Sequence, residues 1–191
     1  LSISDSHLAI AKSETSNPYG TRGETIPASV TILDLKSGDV VQTIKSGNQR
    51  FRENARDDGS TYKSYPTFAE SVGINDNRVI VGVTWTGGDH GEVQVFDIDT
   101  GEILSVLSSG DHQSSVAPTL YGLTVGISGS RVITSSPKLG FADIFDISEP
   151  KENRLLRLQS GDSSRFGRVV AISDKYAAVT GMNNIYIFDL A

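Results

Sequence analysis

The sequence predicts an all-β chain made of four repeats, and three observations predict it. A phrase of one design returns four times: LSISDSHLAIA from Leu1, ESVGINDNRVIVGV from Glu70, LTVGISGSRVITSS from Leu123 and RVVAISDKYAAVTG from Arg168. Each return is followed by a run that closes on aspartate: VTILD at Asp34, VQVFD at Asp97, ADIFD at Asp146 and IYIFD at Asp189. No helix signal interrupts these units.

Within each phrase an apolar run meets a polar tetrad, such as NDNR or SDKY, and then a second run of Val, Ile and Ala. That pattern predicts two strands, A and B, joined by a tight turn of Asp, Asn, Ser or Gly. The aligned isoleucines Ile3, Ile74, Ile127 and Ile172 mark strand A. The aspartate-closed run predicts strand C. Three units continue as DLKSGDVVQTIKSGN, DIDTGEILSVLSSGD and DISEPKENRLLRLQSGD, which predicts a second turn and a strand D. Gly38 and Gly101 stand at one offset from their aspartates, where a tight turn requires positive φ. The fourth unit has strand C but no strand D before Ala191.

Four strands in meander order cannot bury both faces alone, so each sheet needs a neighbour on either side. The expected architecture is a β-propeller or partial propeller, with blades at about 1–46, 68–109, 121–160 and 166–191 and the last lacking its outer strand. Small residues in the A strands, as in VGI and VAI, suit a crowded inner channel. The unfinished fourth blade predicts a longer chain or an oligomer that completes the ring; a self-contained small ring is the remaining alternative.

With 191 residues the expected body is one domain. The formal net charge of −6 works against a broad phosphate-binding surface, so nucleic acid is not an expected partner. The absence of cysteine removes disulfides, thiolate catalysis and cysteine-ligated metals. No apolar run reaches the roughly 18 residues of a membrane helix, so no transmembrane segment is expected.

Phe166-Gly167, Tyr121-Gly122 and Phe68-Ala69 each precede a V-[GA]-I strand, and each unit closes on a V-x-V-F-D type strand. In this the chain resembles the FG-GAP repeats of integrin-like propellers. The resemblance implies a non-catalytic interaction scaffold, extracellular or at the cell surface, as in cell adhesion. It also brings in calcium, but no loop reproduces the family's D-x-D-x-D pattern, and Asp57-Asp58-Gly59 is the nearest fragment. No cofactor and no metal site is therefore expected. The phrase FDIDTGEIL is similar to repeats of quinone-dependent dehydrogenase propellers, but Val and Leu stand where those repeats carry tryptophan.

Meander order puts the short A–B and C–D turns at one end and the long B–C and D–A segments at the other. That second end is the expected binding face for a protein or glycan partner. Asp89, His90, Asp111 and His112 lie on neighbouring segments there, as an acid-base or metal cluster or as ordinary residues of Gly- and Ser-rich loops. Arg50, Arg52 and Tyr62 belong to a basic-aromatic set spread over residues 47–67, whose charge Glu53, Asp57 and Asp58 nearly cancel. Trp85 offers either a stacking platform or a packing residue between blades. His7, in an A–B turn, is read as exposed. No GxSxG, HExxH or GxxxxGK motif is present, so no catalytic residue is assigned. Two alternatives remain: a propeller hydrolase or lyase acting on polysaccharide, and a structural subunit of a larger assembly.

Overall fold

Each aspartate-closed run becomes the third strand of a sheet, and the repeated phrase supplies the two strands before it. A computed structural model gives the fold for residues 1–12, 28–45, 52–55, 61–64, 67–84, 91–110, 119–148, 153–160 and 166–190. The first sheet is β1 (Ser2–Ile3), β2 (His7–Lys12), β3 (Ser29–Asp34) and β4 (Val40–Lys45). A two-stranded hairpin follows, β5 (Arg52–Ala55) and β6 (Thr61–Ser64). The second sheet is β7 (Phe68–Ile74), β8 (Arg78–Val83), β9 (Glu92–Asp97) and β10 (Ile103–Ser108). The third is β11 (Val125–Ser128), β12 (Arg131–Ser136), β13 (Phe141–Asp146) and β14 (Asn153–Gln159). The fourth has three strands, β15 (Val170–Ile172), β16 (Tyr176–Thr180) and β17 (Ile185–Asp189). All pairs are antiparallel between consecutive strands, as the meander reading requires. Among the described residues there is no helix, and so none long and apolar enough to cross a membrane.

The repeat extends to register. Ala9 pairs with Ile32, Ile80 with Val95, Ile133 with Ile144 and Ala178 with Ile187, each at the same step from its closing aspartate. The pairing of third and fourth strands slips at one place in all three complete sheets, skipping Val41, Leu104 and Leu155. A bulge of this kind adds local twist to the outer strand. Gly38 and Gly101 have φ of 77° and 71°, and their N–H groups donate to the carbonyls of Asp34 and Asp97, closing the predicted turns.

Side-chain alternation gives each sheet two apolar faces, and consecutive sheets press them together. One buried cluster joins Ala9, Val30, Ile32 and Ile44 of the first sheet to Phe68, Val72, Val79 and Phe96 of the second. A second joins Ile80, Val93, Val95 and Leu107 to Tyr121, Val132, Phe141 and Phe145. A third joins Ile133, Ala142, Ile144 and Leu158 to Phe166, Val170, Ala177 and Val179. Burying one such side chain stabilises by about 1.5–3 kcal/mol, so these junctions hold the sheets in file. The sheets approach most closely through their first two strands, β1 and β2 on β7, β7 and β8 on β11, and β11 and β12 on β15.

Two expectations are corrected. Residues 47–67 were expected to run as a long loop, yet they contain the β5–β6 hairpin, whose register sets Glu53 opposite Lys63. His7 is the first residue of β2 and is half-buried, its Nδ1 lying 2.8 Å from Ser6 Oγ. It is held by its turn instead of standing free.

Candidate functional site

The two ends of the sheets are built differently. At one end the A–B turns are residues 4–6, 75–77, 129–130 and 173–175, each closed locally by its own polar side chains or by glycine. Ser4 Oγ accepts from the N–H of Ser6 and His7, Asn75 Oδ1 from Asn77 and Arg78, and Ser173 Oγ from Tyr176. These turns also bond across the sheets. Ser6 Oγ donates to Asp76, Asn75 Nδ2 to the Gly129 carbonyl, and Ser128 Oγ to Asp174. Arg131 donates to the Asp174 carbonyl at 3.0 Å, and Arg78 to the carbonyl of Ile147.

The C–D turns share this end. Asp34 is held below the ordinary aspartate value of 3.8 by the N–H of Ser37, then that of Lys36. Asp97 is lowered by the N–H and hydroxyl of Thr100, and Asp146 by the N–H and hydroxyl of Ser148. These polar groups are thus engaged in holding turns and joining sheets.

At the other end the connections from one sheet to the next are longer, as are the B–C connections of the first two sheets, while those of the third and fourth, 137–140 and 181–184, are short. Each sheet after the first is seated by an aromatic residue followed by a small one. Tyr121 and Phe166 are fully buried and Phe68 nearly so, each against the sheet before its own. Behind the rings Gly122 and Gly167 take φ of 83° and 92°, and Ala69 takes 63°. Ser71 Oγ donates to the Gly122 carbonyl at 2.8 Å, and Ser135 Oγ to the Gly167 carbonyl at 2.6 Å. The fit leaves no room for a side chain on the sheet beneath: a Cβ on Gly82 would lie 2.0 Å from the Gly122 oxygen.

Around Tyr121 this seat becomes a charged cluster. The alternation of β13 turns Asp143 to the same face as Phe141 and Phe145, where it is fully buried. Arg157 grips the carboxylate with both arms, Nε to Oδ1 at 2.7 Å and Nη2 to Oδ2 at 2.8 Å. Arg154 Nη1 stands 3.5 Å from Oδ2, and the Tyr121 hydroxyl donates to the same oxygen at 3.3 Å. Burial, and then the neighbouring carboxylate, push the Tyr121 hydroxyl far up, so it remains a donor. The Arg157 guanidinium also lies over the Phe141 ring, 3.7 Å from its centre.

The cluster reaches across to the second sheet. Arg154 Nη1 and Arg157 Nη2 both donate to the carbonyl of Ser109, at 2.8 and 3.0 Å, immediately beyond β10. Ser136 Oγ donates to the carbonyl of Thr119 at 2.6 Å. Segment 110–118 therefore leaves from a residue pinned by the two arginines and returns at Thr119 and Tyr121, pinned by Ser136 and Asp143. Both stems of the connection that carries Asp111 and His112 are fixed by side chains of the third sheet.

Arg50, Trp85, Asp89, His90, Asp111 and His112, with the Asp57-Asp58-Gly59 fragment, lie outside the described residues. Arg52 and Tyr62 lie in β5 and β6 of the hairpin. Among the described residues no group of three or more His, Asp or Glu is placed to hold a metal ion. Sequence reasoning passed over Asp143, Arg154 and Arg157. The signal was present: FADIF puts a carboxylate between two aromatic residues on one face of a strand, and the next strand, RLLRLQ, offers two arginines.

No protein-family model and no curated protein matches the sequence. Among solved structures, Kuenenia stuttgartiensis hydrazine synthase is similar over 100% of this chain and 58% of its own, with a TM-score of 0.59 and 14% identity. Kluyvelomyces marxianus Hsv2 is similar over 87% of this chain and 43% of its own, with a TM-score of 0.52 and 13% identity. The chain thus spans about half the length of these structures, and the likeness is one of fold.

Proposed function

We propose that the chain is a four-blade part of a β-propeller of the FG-GAP kind, a non-catalytic scaffold that recognises a protein or glycan through its loop-bearing end, outside the cytoplasm. The propeller reading is supported by four meander sheets packed in file through their first strands, and by likeness to Hsv2, which is a propeller. The FG-GAP reading is supported by the aromatic-small pairs that seat each blade on the one before.

The observation that carries the functional reading is the double clamp on segment 110–118. A buried carboxylate gripped by two arginines costs desolvation and is weak evidence for stability alone. Fixing both stems of a connecting segment reduces the entropy lost when that segment binds, which favours recognition. At the opposite end, the polar side chains already described are engaged within turns and between blades.

A polysaccharide array, paired with turnover assays on the same polymers, tests the reading. The expected result is retention on one glycan class that is lost in Trp85→Ala or His112→Ala, with no product formed and the thermal midpoint unchanged. Product formation, abolished by Asp89→Asn or Asp111→Asn, overturns the scaffold in favour of a hydrolase or lyase. Absence of retention on every polymer overturns the glycan arm and leaves a protein surface as the partner.

A further inference from the structure

In each of the first three sheets, the residues two and four before the closing aspartate face the next sheet. They are Val30 and Ile32, Val93 and Val95, and Ala142 and Ile144, none more than 1% exposed. The fourth sheet carries the same pair before Asp189, but Ile185 is 69% and Ile187 62% exposed. Beside them, in register, lie Thr180 and Ala178. Ala178 holds the place at which Ala9, Ile80 and Ile133 are buried. Thr180 puts a hydroxyl where Ser135 donates to Gly167; in the fourth sheet that hydroxyl bonds to the backbone of Val169. An apolar pair of this kind on an otherwise finished face marks an interaction surface.

The three filled junctions say what covers such a face. In each, the cover is the opposite face of a sheet whose first strand is led by an aromatic-small pair: Phe68-Ala69, Tyr121-Gly122 or Phe166-Gly167. We infer that the free face of the fourth sheet docks a further β-sheet of this same repeat, its aromatic ring seated over Thr180, Ile185 and Ile187. The inference rests on the propeller reading and names what covers its fourth sheet; the surface is distinct from the loop-bearing end, so its failure leaves the reading of that end untouched.

The chain has no cysteine, so I187C and I185C each introduce a single reporter thiol. Leu190 stands one past its closing aspartate as Ile147 does, so repeating residues 148–190 after Leu190 adds both a fourth strand and a fifth sheet led by Phe166-Gly167. The thiol of I187C is expected to react with a maleimide about tenfold or more slowly in this extended chain than in the original, and I185C to follow it. An extension that stops at residue 160, supplying the strand without the sheet, leaves the rate within about threefold of the original. F166A in the added repeat restores fast labelling. Equal rates in the original and fully extended chains overturn the proposal. So does labelling of the original chain that is already slow and slows further with protein concentration, because a second copy is then the occupant.

Discussion

The junction between the second and third sheets and the junction between the third and fourth use one backbone device with opposite chemistry. In both, an aromatic-glycine pair turns back over the preceding sheet and a serine hydroxyl caps the glycine carbonyl. Tyr121 sends its hydroxyl to Asp143, which the arginines enclose. Phe166 lies edge-on to Tyr186 and Phe188, with centroids 5.4 and 6.3 Å away, in an apolar cluster that includes Ala142, Ile144 and Leu158. The seat itself is indifferent to polarity. What differs is the residue three before the closing aspartate, Asp143 in one sheet and Tyr186 in the other, and with it the load each junction carries.

The widest gap between the junctions opens when that residue is truncated. Asp143→Ala leaves Arg157, whose side chain is only 23% exposed, pointing into a packed face without its carboxylate. Breaking a buried ion pair from one side costs about 3–5 kcal/mol, and that loss is expected in the urea unfolding free energy. Tyr186→Phe, at the equivalent position of the fourth sheet, is expected to stay within about 0.5 kcal/mol. A loss below about 1 kcal/mol in Asp143→Ala would mean that the cluster does not hold the second junction together.

Exchanging the two rings sharpens the same contrast at a smaller scale. Phe166→Tyr buries a hydroxyl where the neighbours are aromatic and is expected to cost about 2 kcal/mol. Tyr121→Phe removes one long hydrogen bond from a carboxylate that keeps both arms of Arg157, and is expected to cost about 1 kcal/mol. Equal costs would show that the two seats are chemically equivalent after all.

Most of the scaffold was legible because the repeat states it four times. Strand order, turn glycines and seating rings recur, and the same backbone geometry recurs with them. Ile3, Ile74, Ile127 and Ile172 align in sequence, yet Ile3 is exposed and Ile74 buried. Alignment gives position on a strand; burial depends on whether a sheet lies behind it. The charged cluster was missed for the complementary reason. Asp143 is where the third unit departs from the others, which have Thr31, Gln94 and Tyr186, and a reading that seeks common features passes over the departure. Among the described residues the β5–β6 hairpin has no counterpart in the other units, so nothing in the repeat announced it.

Thr134 is directly paired with Asp143 across the strands, and it gives the one expected gain. Its hydroxyl is buried and, among the described residues, has no hydrogen-bond partner. The corresponding residues of the second and fourth sheets are Val81 and Val179, both buried without a polar atom. Thr134→Val keeps the shape and removes the unpaired group, so it is expected to raise the unfolding free energy by about 1 kcal/mol. A loss instead would mean that the hydroxyl serves the charged cluster, and the two junctions would differ by one polar group more.

Acid tests what the junctions share. Asp34, Asp97 and Asp146 cap the C–D turns of the first three sheets, and each is held below 3.8 chiefly by a backbone N–H that bonds its charged form. A carboxyl whose folded value is lowered adds stability that is complete above its unfolded value and disappears as pH falls through the folded one. These groups are exposed, so the effect is smaller than any above. Comparison of urea midpoints for the parent and Asp97→Asn cancels every other titration common to both chains. At neutral pH the parent is expected to be the more stable, and the gap to close as pH drops below 3.8, because the protonated acid and the amide then cap the turn alike. A gap that widens in acid would reverse the sign assigned to the cap. A gap constant across the range would place the stabilisation in the geometry of the Asp97 turn, independent of its charge.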